Sequence, residues 1–398
     1  MPWKETNVME QRVMFINAWL SRRYTKIQLC RQFNISRPTA DKWIKRHEQV
    51  GFAGLSELSR KPRHSPNATP QWIVEWLIAE RLKRPDWGAK KLLDYFALRY
   101  PSVKRPADST GDLILARAGL VEPRKRKRRV SADTEPFSDA LEANAVWCTD
   151  FKGEFALGNK QLCYPLTVTD LFSRHLFACE GFSSTKACNV FVVFDRLFRE
   201  FGLPWSIRSD NGTPFASTAL GGISRLSKWW IDLGIRPQRI QPSHPEQNGQ
   251  HERMHRSLKA HLLKRPNGVR QTLSEQQAVF DDFRQEYNDI RSHEGLNRQR
   301  PVELYRPSNR HYSGKVEAYE YEAHQIIRQV KQNGEIKWQG KTYYLSQVLA
   351  KEPIAFEPYA EGIWRIYYRF LLLGEFHERE KKIVPLTEWH TNKCKRSP

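Results

Sequence analysis

The sequence predicts a multidomain α+β protein in which helical modules precede a mixed α/β core and a small β domain. Its 398 residues are too many for one compact unit. Apolar residues recur at helical spacing through roughly the first 120 positions, whereas alternating runs and one long helical run occupy about 145 to 241. From about residue 320 the pattern becomes alternation punctuated by glycines, which is typical of short strands.

Charge indicates the kind of partner. The formal net charge is +21 and the isoelectric point is about 9.8, so we expect a polyanion. Residues 1–130 hold 28 Lys and Arg against 12 Asp and Glu, which is +16 of that total. The first third of the chain is therefore expected to make most of the electrostatic contacts with this polyanion.

The cysteine spacing and the hydropathy of the sequence argue against zinc-knuckle, disulfide-rich, secreted and membrane-spanning proteins. The six cysteines include no C-x-x-C pair, so neither a zinc knuckle nor a disulfide framework is predicted. The polar N-terminus does not resemble a signal peptide, and no apolar run reaches the ~18 residues of a membrane span. We expect a cytoplasmic, nucleoid-associated protein.

Residues 1–53 have the layout of a helix-turn-helix module. Thr25 and Ser36 are positioned to cap the second and third helices, while Trp43 and Ile44 would face inward. The third helix, about 37 to 48, would then lie in the major groove of DNA. Its DNA-facing residues would be Arg37, Lys42, Lys45 and Arg46. The alternative is an ordinary three-helix bundle with a solvated basic face.

Residues 68–122 form a second, helix-turn-helix-like module with helices at about 71 to 82, 87 to 100 and 107 to 118. The third helix carries Arg117 as its only cation, so a packing or dimerisation unit competes with base readout. A basic linker, 123–138, follows. Its block of like charge would track a DNA backbone, with a solvated tail or a nuclear localisation signal as alternatives; it comprises Arg124, Lys125, Arg126, Lys127, Arg128 and Arg129.

Three acids lie at the ends of predicted elements in the next segment. Asp150 follows an alternating apolar run in a strand predicted at about 145 to 153, and Asp210 ends a strand at 204 to 209. Glu252 lies in the first turns of a helix that Asn248 can cap. Other strands are expected at 162 to 170, 175 to 181 and 236 to 241, with a helix at 184 to 201. Three converging carboxylates require cations, and Mg²⁺ or Mn²⁺ suits oxygen ligands. Two such ions would support in-line phosphoryl displacement.

Charged side chains near the three acids could have either a functional or a structural role. Arg256 and Lys259 lie four and seven positions beyond Glu252 and share its helix face, where they would hold phosphates or form a solvated charged face. Asp170 is interpreted as a turn residue bonded to backbone or to Arg174, with metal ligation as the alternative.

Five motifs in order resemble the integrase-type catalytic core of bacterial insertion-sequence transposases, which are relatives of retroviral integrases. They are Trp147-x-x-Asp150, Thr169-Asp170-Leu171-Phe172-Ser173-Arg174, Ser209-Asp210-Asn211-Gly212, Gln247-Asn248-Gly249-x-x-Glu252, and Tyr287-Asn288-x-x-Arg291-x-His293. The resemblance implies an RNase H-like core with a mixed five-stranded sheet at 139–270, a helical extension at 271–310 and a small β-barrel at 318–385.

The resemblance also implies a function. Asp150, Asp210 and Glu252 would be both the catalytic acids and the ligands of two Mg²⁺ or Mn²⁺ ions. The protein would be a DNA transposase that binds terminal inverted repeats of a mobile element on double-stranded DNA. It would cleave 3′ ends and transfer strands as a homodimer or higher oligomer. Alternatives are a catalytically inactive DNA-binding regulator and a nuclease acting on RNA-DNA hybrids.

Three points qualify the match. Glu252 comes 42 positions after Asp210, which is longer than the commonest family pattern, and we expect the additional residues within 216–233. Glu246 is a competing acid, but it precedes the helix. His293 would be either a phosphate partner or a structural residue, and the C-terminal domain would contact DNA, contact protein or act as a cap.

Overall fold

A computed structural model describes residues 7–58, 68–122, 140–217, 219–240 and 249–385. The chain divides into two compact units, residues 1–68 and 69–398, and each is described by itself. The basic block 124–129 and the expected cap Asn248 lie outside the described residues, as does Glu246.

The first unit contains the expected three helices, α1 (Val8–Leu20), α2 (Lys26–Gln32) and α3 (Arg37–Val50). Thr25 and Ser36 cap the second and third helices, because their side chains accept hydrogen bonds from the backbone of the first turn. Trp43 and Ile44 are buried in the small core, as predicted.

The second helical module consists of α4 (Gln71–Lys83), α5 (Ala89–Arg99) and α6 (Asp108–Arg117). It packs on the rest of its unit through ion pairs. Asp94 and Asp108 both pair with Arg298, at 2.6 and 3.0 Å. Because Asp108 opens α6, the first turn of the third helix faces the protein's own surface, which favours the packing interpretation over base readout.

The central sheet is mixed. Its strands are β1 (Val146–Phe151), β2 (Phe155–Ala156), β3 (Leu162–Asp170), β4 (Leu176–Phe182), β5 (Ser206–Ser209) and β6 (Arg236–Arg239). The order is β2-β3-β1-β5-β6, with β4 on β3. The expected count of five strands is wrong, because the two-residue β2 adds a sixth by pairing with the start of β3. It is too short to leave a periodic signal in sequence.

Helices cover both faces of this sheet. On one face α7 (Ala187–Phe201) and α8 (Arg225–Asp232) bury Trp147, Phe194 and Trp230 in a common core. On the other face α9 (Gly249–Lys264) and α10 (Leu273–Gln285) bury Leu258 and Phe280. A single π-helical turn, Glu286–Ile290, and the short α11 (Pro301–Leu304) follow α10. The strand ends between these layers are where the sheet presents its acids.

The C-terminal strands are β7 (Ile326–Gln329), β8 (Glu335–Trp338), β9 (Lys341–Tyr344), β10 (Pro353–Ala360), β11 (Ile363–Tyr368), β12 (Leu371–His377) and β13 (Lys382–Pro385). Seven strands rather than about five are present. They form a five-stranded sheet, β13-β12-β11-β10-β7, and a separate β8-β9 hairpin. These sheets confirm a β-rich C-terminal domain, and the small β-barrel stays a prediction.

The segment between β5 and α8 joins the core to these C-terminal sheets. Ile223 and Ile231 lie in the same hydrophobic cluster as Phe356, Ile366 and Leu373. We expected the additional residues between Asp210 and Glu252 to lie within 216–233. Part of this stretch thus packs against the C-terminal sheets. Within the described chain, no helix combines the length and apolar character needed to cross a bilayer.

Candidate active site

Two adjacent parallel strands carry Asp150 and Asp210. β1 pairs with β5 so that Cys148 lies opposite Arg208. Continued by two residues, this register sets Asp150 beside Asp210, which directly follows the last residue of β5. Strand pairing between residues 60 positions apart therefore brings together two of the three predicted acids.

The third acid is within electrostatic range. Burial raises the pKa of Asp150 to about 7, and the charges of Asp210 and then Glu252 contribute to the rise. Burial also raises the pKa of Asp210. Glu252 is exposed in the first turn of α9. The negative charges of Asp210 and Glu252 therefore disfavour ionisation of Asp150.

One oxygen of the site is unsatisfied. Asp210 Oδ1 is buried without a hydrogen-bond partner among the described residues. A buried carboxylate oxygen without a donor is costly unless it ligates a cation. Together with three oxygen-donor side chains and their mutual repulsion, this orphaned atom fits a hard divalent cation.

A different cluster has the tightest ligand spacing. Among the described residues, Asp86, His261 and Glu286 have candidate ligand atoms within 4.8 Å of one another, whereas the three acids are not so close. However, Arg265 already pairs with Asp86 at 2.8 Å and with Glu286 at 2.5 Å. Arg84 also pairs with Glu286, at 2.9 Å, so two guanidinium groups balance the two carboxylates. We therefore interpret the cluster as a buried ion network between the second helical module and the core.

A histidine pair that the sequence analysis missed anchors α9 to the sheet. His251 Nε2 and His255 Nε2 lie 2.8 and 2.7 Å from Thr167 Oγ1, and His251 Nδ1 lies 2.9 Å from Thr169 Oγ1. Thr167 in turn donates to the carbonyl oxygen of Asp150 at 3.1 Å. Since a hydroxyl donates once, both imidazoles must donate to Thr167, and Thr169 must donate to His251.

This network ties the residue before Glu252 to the strand residue that carries the first acid. Its signal in the sequence is the spacing of His251 and His255, which places both on the inner face of α9. The run His251-Glu252-Arg253-Met254-His255 also has the H-E-x-x-H spacing of zinc metalloproteases. Here His251 Nε2, His251 Nδ1 and His255 Nε2 are hydrogen-bonded to threonine hydroxyls, so the two histidines anchor α9 to the sheet.

The predicted cations Arg256 and Lys259 are exposed on α9, and a further cation joins them. Burial and then the charge of Lys259 lower the pKa of Lys152, so these two ammonium groups are neighbours. Lys152 lies two residues beyond Asp150, and strand alternation could have indicated that both point to one face. The acids are thus flanked by positive charge.

Other predicted residues have defined positions. Asp170 accepts hydrogen bonds from the Asn144 and Ser173 amides at 2.8 and 2.7 Å, which confirms the turn interpretation, although its partner is not Arg174. His293 is structural, because its Nε2 donates to the Tyr287 carbonyl at 3.2 Å and its ring packs on Tyr287.

The predicted DNA-facing residues of α3 divide into two pairs. Arg37 and Lys45 are exposed, and neither takes part in a described ion pair. In contrast, Lys42 pairs with Glu57 at 3.5 Å, and Arg46 donates to the Ser56 carbonyl. Lys42 and Arg46 are thus held against their own module, and Arg37 and Lys45 are the freer pair.

Comparison with known proteins is consistent with this architecture. Two integrase core domain models match residues 140–245 and 233–301, and a helix-turn-helix domain model matches residues 11–63. The chain is 31% identical over 188 residues to the uncharacterized 31.7 kDa protein of insertion element IS407 from Burkholderia multivorans. That match covers 47% of this chain and 65% of the relative, just under two thirds of its length.

A second relative and a solved structure extend the comparison. The uncharacterized 39.2 kDa protein of insertion element IS476 from Xanthomonas euvesicatoria is 26% identical, over 63% of this chain and 70% of its own length. The catalytic core of HTLV-2 integrase in complex with magnesium aligns with a TM-score of 0.33 and 17% identity, over 42% of this chain and 99% of its own. A score of this size carries no argument about function. By these matches the chain has an integrase core domain and a helix-turn-helix domain, and it is similar to proteins of two bacterial insertion elements.

Proposed function

We propose that this protein binds the terminal inverted repeats of a mobile element, cleaves DNA at its 3′ ends and transfers the resulting strands to target DNA. The observation that carries the proposal is the register of β1 and β5, which sets Asp150 beside Asp210 within electrostatic range of Glu252. The integrase core domain and the similarity to insertion-element proteins support the same reaction class.

The three acids are proposed to hold two Mg²⁺ or Mn²⁺ ions. The unpaired Asp210 Oδ1 and the raised pKa values of Asp150 and Asp210 support this, because bound cations would remove both the orphaned atom and the repulsion. When bound, such a pair of ions activates the attacking oxygen and stabilises the leaving oxygen of a phosphodiester.

The chain's own side chains would bind and orient the DNA. Lys152, Arg256 and Lys259 supply positive charge beside the acids, where backbone phosphates can be held without reading sequence. The hydrogen bonds from His251 and His255 to Thr167 fix α9, and with it Glu252, relative to the strand of Asp150. Preorganisation of this kind lowers the cost of reaching the reactive geometry.

No side chain is proposed as a nucleophile. Cys148, two residues before Asp150, is buried, and burial raises the pKa of its thiol to about 12. Such a thiol is not ionised near neutral pH and is a poor nucleophile. Direct attack by water or by a DNA 3′-hydroxyl agrees better with a site built from carboxylates.

Recognition of the element ends is assigned to the first helical module, with Arg37 and Lys45 presented from α3. The basic block 124–129 is proposed to add sequence-independent phosphate contacts. Because two element ends have to be joined, the active form is proposed to be a homodimer or a larger assembly on DNA.

Incubating the protein with DNA that carries the element's terminal repeats and Mn²⁺ tests the proposal. Asp210→Asn should abolish nicking and joining and leave end binding largely intact. Asp195→Asn, which changes an exposed acid paired with Arg199 on α7, is the matched control and should retain activity. Strand joining by the Asp210→Asn variant would show that the acids are assigned wrongly.

A further inference from the structure

Four cations from separate parts of the chain lie near α9. Arg253 lies one residue after Glu252. After burial, its charge helps to lower the pKa of Arg174, which follows β3. Arg291, on the segment after α10, reaches α9 by donating to Ser257 Oγ at 2.9 Å. The fourth cation is Lys91 of the second helical module, whose pKa is lowered by burial and then by the charge of Arg291. We call these four residues the cationic cluster.

Arg174 is held in an unusual position. Its backbone has φ of 61°, a left-handed conformation that is uncommon for a residue with a side chain. Its guanidinium lies over Gly295, where any larger residue would collide with it. The left-handed backbone of Arg174 and the missing side chain at Gly295 together hold the guanidinium over Gly295.

The cluster adjoins a small pocket between the sheet and α9. Arg174, Gln250, Met254 and Tyr287 are among the lining residues. Gln250 Oε1 is buried there without a hydrogen-bond partner among the described residues. An amide can turn its NH₂ group toward an anion as readily as its oxygen, so the side chain suits an acceptor-rich ligand.

The nearby carboxylates are engaged elsewhere. Asp170 is bonded to Asn144 and Ser173, and within the described parts of the chain no carboxylate forms a salt bridge with Arg174 or Arg253. Arg265 binds both Asp86 and Glu286, and Glu294 pairs with Lys90. Among the described residues Arg174 and Arg253 therefore have no acidic partner, whereas the charges of Asp86 and Glu294 act on Lys91.

The titration behaviour agrees with this deficit. Burial, followed by the charge of Arg291, lowers the pKa of Lys91 to about 8. Burial and then the charges of Arg291, Arg174 and Lys91 lower the pKa of His293 to about 3, so these three members of the cluster are within electrostatic range of one buried imidazole. Like charges gathered in a partly buried place are unfavourable until an anion joins them.

We propose that the cationic cluster of Lys91, Arg174, Arg253 and Arg291 binds a backbone phosphate of a DNA strand that runs from the catalytic acids along α9 toward the second helical module. This inference deepens the proposed function and depends on it. Arg253 and Arg256 are three positions apart and so are neighbours on the surface of α9. The phosphate contacts of the cationic cluster would thus continue to Arg256 and Lys259 beside Glu252.

The test measures the salt dependence of binding to a labelled DNA duplex of arbitrary sequence, using the full chain. Arg253→Gln changes an exposed residue, and the double variant R174Q/R253Q removes the pair nearest the acids. Each lost phosphate contact should reduce the slope of log K against log salt by roughly 0.9. Arg199→Gln, at a surface ion pair on α7, removes the same charge and should leave the slope nearly unchanged.

Melting temperature without DNA distinguishes binding from a structural role. Removing one charge from a repelling cluster should leave the melting temperature of Arg253→Gln at low salt equal to or above that of the wild type. A structural arginine would lower it. A folded double variant with the wild-type salt slope would overturn the proposal.

Inorganic phosphate separates the two sources of the anion. If phosphate raises the melting temperature of the wild type but not of R174Q/R253Q, and the variant also loses slope with DNA, the DNA assignment stands. Stabilisation by phosphate with an unchanged DNA slope would mean that the site takes a free anion, and the assignment is wrong. Because these measurements require no cleavage, absence of nicking by the wild type would count against the proposed function alone.

Discussion

The hydroxyl of Thr167 donates a hydrogen bond to the carbonyl oxygen of Asp150 at 3.1 Å. The Thr167 hydroxyl oxygen also accepts hydrogen bonds from His251 and His255 of α9. One buried side chain therefore joins the strand of the first acid to the helix of the third. This relationship leads to the first of four predictions.

Thr167→Val should lower the free energy of unfolding by about 1 to 3 kcal/mol, because it leaves buried imidazole N–H groups without an acceptor. Strand transfer should fall while DNA binding remains. Thr149→Val is the matched control in the same sheet, since Thr149 Oγ1 is buried without a described partner and its loss should be neutral or stabilising. Equal destabilisation by both variants would refute the network.

Arg265→Met should destabilise the unit that contains the second helical module and the core. Asp86 and Glu286 would be left as buried carboxylates without their shared partner, at a cost of about 3 to 5 kcal/mol. We expect a lower melting temperature and faster proteolytic release of the second module. Arg199→Gln should change neither, and a wild-type melting temperature for Arg265→Met would contradict the role of this ion network.

Stability should decrease as pH falls from about 6.5 toward 4. Burial lowers the pKa of His175 and of His261 to about 4, so the unfolded chain binds protons in this range that the folded chain does not. The contribution is complete above the unfolded pKa of about 6.5 and is lost through the folded pKa. His261→Gln should make the melting temperature fall less steeply over this window. A parallel fall in variant and wild type would exclude His261 as a source.

Asp150→Asn should raise the melting temperature of the metal-free protein at neutral pH, because it removes one of three repelling acids. Mg²⁺ should stabilise the wild type and have a smaller effect on this variant, since a ligand that binds the folded state shifts its stability. Asp195→Asn should respond to Mg²⁺ like the wild type. An identical response by Asp150→Asn would argue against a metal at this residue.

Local chemistry made much of the architecture readable from the sequence. The caps Thr25 and Ser36, the inward Trp43, and the bounds of β3 follow from short-range hydrogen bonding and from apolar periodicity. The acids Asp150, Asp210 and Glu252 were selected by motif and element ends, and their catalytic role is still a proposal. The short β2 and the two-sheet C-terminal domain were missed because strand pairing depends on distant partners.

The sequence by itself determined which elements form and which acids were candidates, since periodicity, caps and motifs are properties of neighbouring residues. Only the tertiary structure decided which charges share a space. It brought Lys91, Arg174 and Arg291 within electrostatic range of His293, and it placed Arg265 between Asp86 and Glu286. The physical reason is that burial and mutual charge set the energy of an ionisable group, and both depend on residues far away in the chain.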